Sequence, residues 1–129
     1  MAAIGTELKY GDEAWTSWFD RQAENCQFRA ELVDFYASDS PANDPILQIS
    51  IYHKNSDDTG DGTAASDGAG GNAVLELGNG QVSGDISVAK AVDLKELVRF
   101  KFEWPAGVAD DWIRHRLLTP AWFDASSNS

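Results

Sequence analysis

Four aspartates that lie close together in the sequence are the first candidates for chemistry, because Ca²⁺ takes carboxylate oxygens as ligands in proteins. They belong to a glycine-rich polar segment, residues 55–72, and are Asp57, Asp58, Asp61 and Asp67. The segment does not complete an EF-hand, since Thr59 stands at the third position and Gly68 at the twelfth, where a bidentate glutamate is needed. These aspartates are the metal candidates of the chain, with a solvated acidic loop as the alternative, and we expect no bound metal and no cofactor.

A thiol nucleophile with a histidine base would require Cys26 to meet His53 or His115. No catalytic-cysteine signature surrounds Cys26, which falls at an inward position of a strand pattern and is expected in the core. Both histidines are expected to be structural, and with one cysteine they are too few for a zinc site. The sequence also lacks a phosphate-binding loop, a nucleophile elbow and a dinucleotide fingerprint. We therefore expect no catalytic residues and no enzyme activity.

The net charge of −11 opposes nucleic acids and anionic membranes as partners, because the chain would approach either against long-range repulsion. This charge is unevenly distributed along the sequence. Residues 1–89 contain 15 Asp and Glu against 4 Lys and Arg, whereas residues 90–116 contain 5 against 6. One part of the chain is thus strongly acidic, and the part that follows is balanced to basic.

The balanced part contains the clearest strand pattern, residues 97–104, in which apolar and charged residues alternate strictly. We predict a hairpin between this strand and residues 112–118, joined by a turn at residues 105–107. The hairpin would bring four cations together as a basic stripe on an acidic body: Arg99, Lys101, Arg114 and Arg116. Such a stripe would bind the acidic face of an identical neighbour, and ordinary cross-strand ion pairs with Glu103 and Asp85 are the alternative.

Aromatic residues are numerous for a chain of 129 residues and could serve three purposes. Buried rings form a core, a clustered surface patch binds a protein, and an exposed flat row stacks on sugar rings. Three aromatic residues near the C-terminus join the four cations as candidate partner-binding residues: Trp112, Trp122 and Phe123.

The first third of the chain contains one predicted helix and one predicted strand. Asp12 is a predicted helix cap. The residues behind it recur at i, i+3, i+4 and i+7 and put three rings on one helix face: Trp15, Trp18, Phe19 and Gln22. Residues 26–36 alternate as a strand, and a change of phase at Val33 and Phe35 predicts a bulge or the end of burial on one face.

Further strands are predicted on both sides of the acidic segment. Residues 38–45 form a predicted loop, and residues 46–53 follow as a strand. Residues 73–77 and 81–89 form a predicted hairpin about Gly78, Asn79 and Gly80. The second strand of that hairpin has a predicted inward series of Val82, Gly84, Ile86 and Val88.

Six or seven short strands with one N-terminal amphipathic helix predict a mainly β fold, an antiparallel sandwich or barrel. An α+β fold, with the N-terminal helix on an antiparallel sheet, is the alternative. Residues 112–118 also fit a helix capped by Asp111. We expect one β-rich domain over residues 1–129, with the long loop at 55–72 and a C-terminal tail at 119–129 that docks by its aromatic residues and frays beyond them.

The combined pattern favours a non-enzymatic structural or interaction subunit of a larger protein assembly, whose partners are copies of itself or other subunits. A virion component, such as a phage head-decoration, adaptor or tail protein, is the most concrete form of this hypothesis. A carbohydrate-binding module with exposed Trp and Tyr is the first alternative and a small hydrolase or isomerase the second. Residues 1–9 lack the features of a secretory signal, so we expect synthesis in the cytoplasm, with a virion as the final location.

Overall fold

A computed structural model describes residues 4–9, 13–36, 46–78, 81–106 and 112–124. The predicted cap Asp12, the predicted loop 38–45, Asn79 and Gly80 of the predicted turn, and the end of the tail lie outside these residues. Throughout the described part the regular structure is β-strand, and no helix is found there, so none could cross a membrane.

Eleven strands run through the described residues, more than the six or seven predicted, because several are edge pieces of only two or three residues. They are β1 (Ile4–Lys9), β2 (Glu13–Trp15), β3 (Phe19–Asp20), β4 (Asn25–Tyr36), β5 (Ile46–Lys54), β6 (Thr63–Ala64), β7 (Val74–Leu77), β8 (Ile86–Ala91), β9 (Leu97–Ala106), β10 (Trp112–Leu117) and β11 (Ala121–Phe123).

The strands form two antiparallel sheets. Sheet A contains β1, β10, β4, β11 and β8, with β4 at its centre. Sheet B contains β2, β3, β9, β5, β6 and β7, with β9 and β5 at its centre. The prediction of a mainly β, antiparallel fold is confirmed, and the α+β alternative is wrong for the described residues because they contain no helix.

The two sheets share one apolar core, since rings from one sheet contact rings from the other. Phe28 of sheet A lies 5.6 Å from Phe100 of sheet B, and His115 of sheet A lies 5.1 Å from Phe102 of sheet B, between ring centroids. The rest of the core comes from alternate residues of the central strands, including Leu32, Ile49 and Leu117. Alternation places every second side chain on the same face, which is why a period of two predicts burial well.

The predicted change of phase in the long strand is confirmed as a β-bulge. On β10, Arg114 pairs with Asp34 of β4 and the next residue, His115, pairs with Leu32, so Val33 is the extra residue. Beyond the bulge the apolar residue that packs against the core is Phe35. The bulge therefore keeps both halves of β4 facing the same core.

The predicted hairpin of residues 97–104 and 112–118 is wrong, because its two strands belong to different sheets. β9 pairs with β5, β2 and β3, whereas β10 pairs with β1 and β4. Both strands turn their apolar residues towards the shared core from opposite sides. Alternation reports which face is buried and does not report which strand lies alongside.

The predicted helix is also wrong. Residues 13–15 and 19–20 are strands β2 and β3, and both lie along the edge of β9. Thr16 binds Phe100 twice, since its N–H donates to the Phe100 carbonyl and its hydroxyl accepts the Phe100 N–H, both at 3.0 Å. Pairing with an exposed sheet edge satisfies the backbone of this segment without a helix.

The predicted hairpin of residues 73–77 and 81–89 is split in the same way, since β7 pairs with β5 in sheet B and β8 pairs with β4 in sheet A. The predicted inward series is wrong by one residue. Val82, Ile86 and Val88 are 66%, 52% and 52% exposed, and the buried member of the opposite series is Ala91. A shift of one residue moves every side chain of a strand to the other face.

Candidate interaction surfaces

The outer face of sheet B carries a stack of aromatic rings and cations, which we call face B. Its members come from residues 13–20, which contain β2 and β3 and which we call the N-terminal edge, and from β5 and β9. They are Trp15, Trp18, Tyr52, Lys54, Arg99 and Lys101. Tyr52 pairs with Arg99 across the sheet, and Lys101 pairs with Trp15, so neighbouring strands supply successive members. The stack ties the N-terminal edge to the centre of the sheet.

Arg99 is the centre of face B. Its guanidinium carbon lies 3.9 Å from the Trp15 ring centroid and 4.5 Å from that of Trp18. The same guanidinium donates to the Asp61 carbonyl at 3.2 Å, and the Asp61 carboxylate lies 3.9 Å away. The Arg99 side chain is only 15% exposed, so this cation is engaged within the fold.

The two lysines of face B are engaged as well. Lys101 Nζ lies 5.1 Å from the Trp15 ring centroid and 3.5 Å from a Glu103 carboxylate oxygen, and its side chain is 16% exposed. Lys54 Nζ lies 4.7 Å from the Trp18 ring centroid and donates to the Gly60 carbonyl. Cations thus cover ring surface that a sugar would need for stacking.

The outer face of sheet A, which we call face A, is more open. Its exposed members are Tyr36, Ile86, Val88, Arg114 and Arg116, with Trp112 half-buried among them. The Arg114 guanidinium lies 5.4 Å from the Trp112 ring centroid, and Arg116 lies 3.6 Å from a Glu31 carboxylate oxygen. Face A therefore combines arginine, aromatic and aliphatic side chains at the surface, a composition typical of the centres of protein interfaces.

The predicted basic stripe is not formed, because its four cations lie on two faces. Arg99 and Lys101 belong to face B, and Arg114 and Arg116 belong to face A. Glu103, one of the partners predicted for cross-strand ion pairs, lies 3.5 Å from Lys101, but this pair runs along β9 rather than across two strands. The sequence pattern placed the four cations together because it predicted that their two strands form one hairpin.

The aromatic residues of the tail dock against the body of the protein. β11 pairs with the start of β4, and Trp122 packs edge-on against Phe19 with ring centroids 6.3 Å apart. A cleft of about 260 Å³ lies beside them, lined in part by Gln22 and Pro120. Trp122 and Phe123 are half-buried in these positions.

Three of the four candidate aspartates make different local contacts, and the fourth, Asp57, is exposed. Asp58 accepts the Asn55 N–H at 3.0 Å, and Asp61 faces Arg99. Asp67 accepts the N–H groups of Ala69 and Gly71, and these backbone donors lower the pKa of its carboxyl. Among the residues that the structure describes, no three acidic, histidine or cysteine side chains are grouped so as to hold a metal ion.

The candidate nucleophile Cys26 and the candidate bases His53 and His115 lie in surroundings typical of structural residues. Cys26 is 0% exposed, and burial raises the pKa of its thiol to about 12. His115 is equally buried, and burial lowers the pKa of its imidazole to about 4. His53 Nδ1 accepts the Lys95 N–H at 3.1 Å, and its pKa is lowered by burial and by the Lys95 charge. A neutral buried thiol is a poor nucleophile.

The feature that sequence reasoning missed is the free edge of sheet A at β8. Ala30 of β4 pairs with Ser87 of β8 on one side and with Leu117 of β10 on the other, so β8 is the last strand of the sheet among the described residues. The exposed Ile86 and Val88 stand on this strand. The apolar residues at alternate positions of this strand predicted burial, whereas the structure exposes both side chains.

Comparison with known proteins identifies no relative. No protein-family model, no curated protein and no solved structure matches the chain.

Proposed function

We propose that this protein is a non-enzymatic structural or interaction subunit of a larger protein assembly, and that it binds its neighbour through face A. The observation that carries the proposal is the pair Ile86 and Val88, each 52% exposed, on the last strand of sheet A within the described residues. Exposed aliphatic side chains on an edge strand are a liability unless another chain covers them.

The rest of face A supports the same proposal. Tyr36 is 48% exposed, and Arg114 and Arg116 are exposed on β10, across β4 from β8. Arginine and tyrosine contribute strongly to binding when an interface excludes water from them. The two arginine cations stand on a chain of net charge −11, so an acidic copy or another acidic protein is a complementary neighbour.

A virion component is the concrete form of this proposal, and it rests on the small size of the chain, its abundant aromatic residues and its charge distribution. A carbohydrate-binding module is less well supported. Among the described Trp and Tyr side chains, Trp15 and Tyr36 are the most exposed, and they lie on opposite faces of the molecule rather than in a row.

The experiment is size fractionation of native extracts from cells that make the protein, at low and moderate salt. The test variant is Ile86→Lys with Val88→Lys, and the matched control is Ser17→Lys with Gln22→Lys, which adds the same charge at exposed positions near the opposite edge of sheet B. We expect the wild type and the control to elute in a particle well above the 14.0 kDa of one chain, and the test variant to elute as a single chain. A wild-type protein that elutes at the single-chain mass at both salts would overturn the proposal.

A further inference from the structure

The backbone of β8 offers hydrogen-bonding groups that its own sheet does not use. The Asp85 carbonyl accepts the Leu32 N–H, so residue 85 faces β4, and the Val92 N–H donates to the Ser66 carbonyl, so residue 92 faces the other way. Successive residues of a strand point their backbone groups to opposite sides. The N–H and C=O groups of Ile86, Val88 and Lys90 therefore point away from β4, and no backbone partner for them is present in the part of the chain that the structure describes.

Both ends of this free edge are bounded by the chain itself. Beyond Ala91, the bridge from Ser66 to Val92 occupies the edge. Before Ile86, the chain curls back towards β4, since the Gly84 N–H donates to the Leu32 carbonyl at 2.7 Å. The open edge thus spans β8 alone, and the preceding turn is held away from it.

We infer that this edge pairs with β8 of a second copy of the chain, antiparallel and centred on Val88; the inference rests on the proposed function and names the neighbour. In this register, Val88 lies opposite Val88 of the second copy, and Ile86 lies opposite Lys90 of the second copy. All the outward N–H and C=O groups of the three residues then have partners, in the pattern of an antiparallel ladder. The edge is self-complementary, as a two-fold interface requires.

Side chains and charge fit the same pairing. No acidic residue occurs between Ile86 and Ala91, although the chain contains 21 Asp and Glu. Lys90 of the second copy would lie beside Ile86, whose neighbour on β4 is Glu31, 28% exposed in its side chain. The pairing thus brings a cation towards a carboxylate and sets no like charges opposite each other.

The space between β8 and β7 of sheet B is partly open. A cleft of about 540 Å³ lies there, lined by Gln48, Val74, Leu75, Glu76, Ser87 and Val88. The residues of β8 that face inward are small, Ser87 and Ala89, and Ser87 already donates its hydroxyl to the Glu76 carbonyl at 2.6 Å. Two five-stranded sheets would join into one continuous sheet.

The test exploits the direction of the Val88 N–H. Proline at this position removes a donor that β4 does not use, so Val88→Pro leaves the hydrogen bonds of the single chain intact but blocks the pairing. Val88→Thr keeps the N–H and the branched shape and is the matched control. In sedimentation of the purified protein, we expect the wild type and Val88→Thr at twice 14.0 kDa and Val88→Pro at 14.0 kDa.

Amide exchange of the wild type provides a second test that needs no variant. The N–H groups of Ile86, Val88 and Lys90 should exchange more slowly as concentration rises, whereas the Val92 N–H, bonded to Ser66, should not change. A Val88→Pro protein that still pairs like the wild type, or three amides that exchange rapidly at every concentration, would overturn the inference. The extract experiment with Lys at residues 86 and 88 then decides separately whether face A binds another protein.

Discussion

Face A and face B both combine aromatic rings with basic side chains, yet they leave these groups in different states. On face B, Arg99 lies between two indole rings and Lys101 is held by rings and carboxylates, so both are about 15% exposed. On face A, the Tyr36 ring and the side chains of Ile86 and Val88 are about half exposed. The cations of face B are covered by contacts within the chain. Face A has the residue types of an interface, and the Tyr36, Ile86 and Val88 side chains remain exposed.

Residue type alone therefore does not identify a binding surface. Arginine with tryptophan occurs on both faces, at 3.9 Å between Arg99 and Trp15 and at 5.4 Å between Arg114 and Trp112. The closer pair binds the N-terminal edge to β9 and so contributes to folding. The looser pair lies at an exposed position, where such a contact contributes little to folding.

Acidification is expected to destabilise both sheets together, because His115 lies in the core between face A and face B. Its pKa is about 4 in the folded chain and about 6.5 when unfolded, so the unfolded chain binds the proton more readily. Stability is complete above about pH 6.5 and is lost as the pH falls towards 4, by a free energy of the order of 3 kcal/mol. Urea unfolding from pH 7.5 to 3.5 measures this loss.

The matched variant for this prediction is His115→Leu, which removes the titrating group and leaves the carboxylates in place. Its stability should depend less steeply on pH between 6.5 and 4 than that of the wild type. Equal dependence in the two proteins would contradict the assignment to His115.

Two glycine substitutions compare the surroundings of the faces. Gly62 has φ of +77°, and an added Cβ would lie 2.7 Å from both the His53 carbonyl oxygen and the Trp18 ring. Gly84, near the start of β8, has φ of +98° with nothing within 4 Å. We expect Gly62→Ala to cost about 3 kcal/mol and Gly84→Ala about 1 kcal/mol in thermal unfolding, since only the first adds a clash to the backbone strain. Equal costs would show that Trp18 is not held as described.

Arginine substitutions test the stacks directly. Arg99→Ala should cost about 2 kcal/mol of unfolding free energy, because two rings lose a largely desolvated cation. Arg114→Ala should cost less than about 1 kcal/mol, because that arginine is exposed. Denaturant titrations with tryptophan fluorescence measure both values. Similar losses in the two variants would remove the distinction between face A and face B.

The smallest effect is expected from the apolar side chains of face A. Ile86→Thr with Val88→Thr should change the unfolding free energy of the dilute single chain by less than about 0.5 kcal/mol, as is usual for surface positions. Circular dichroism in urea at micromolar concentration provides the measurement. A loss above about 1 kcal/mol would mean that the chain already covers these side chains by itself.

Burial could be predicted from the sequence wherever a strand passes through the centre of a sheet. The alternation in β5 and β9 correctly identified Ile49 and Phe100 as core residues, and the change of phase at Val33 correctly indicated a bulge. Pairing could not be predicted, because a strand that faces β9 across the core shows the same alternation as one beside it. Sheet membership depends on long-range packing that no local period records.

The candidate surfaces show the same limit. Arg99 and Arg114 were correctly taken as outward residues, but whether they share a face depended on the sheet to which each strand belongs. The rings of Trp15 and Trp18 follow a helical spacing by coincidence, since the residues between β2 and β3 depart from strict alternation. Ile86 and Val88 were wrongly predicted to be buried, because apolar residues at a site of association have the same sequence pattern as core residues.

The position of Cys26 makes its thiol a probe for local opening of sheet A around β4. This single cysteine pairs with Ala91 of β8 and with Trp122 of β11, on the two sides of β4, and its thiol is sheltered and neutral in the folded chain. A thiol-reactive reagent can therefore modify it only when the neighbouring strands separate. The rate of modification therefore reports how often β4 separates from its neighbouring strands. Pairing of the β8 edge with a second chain would lower that rate.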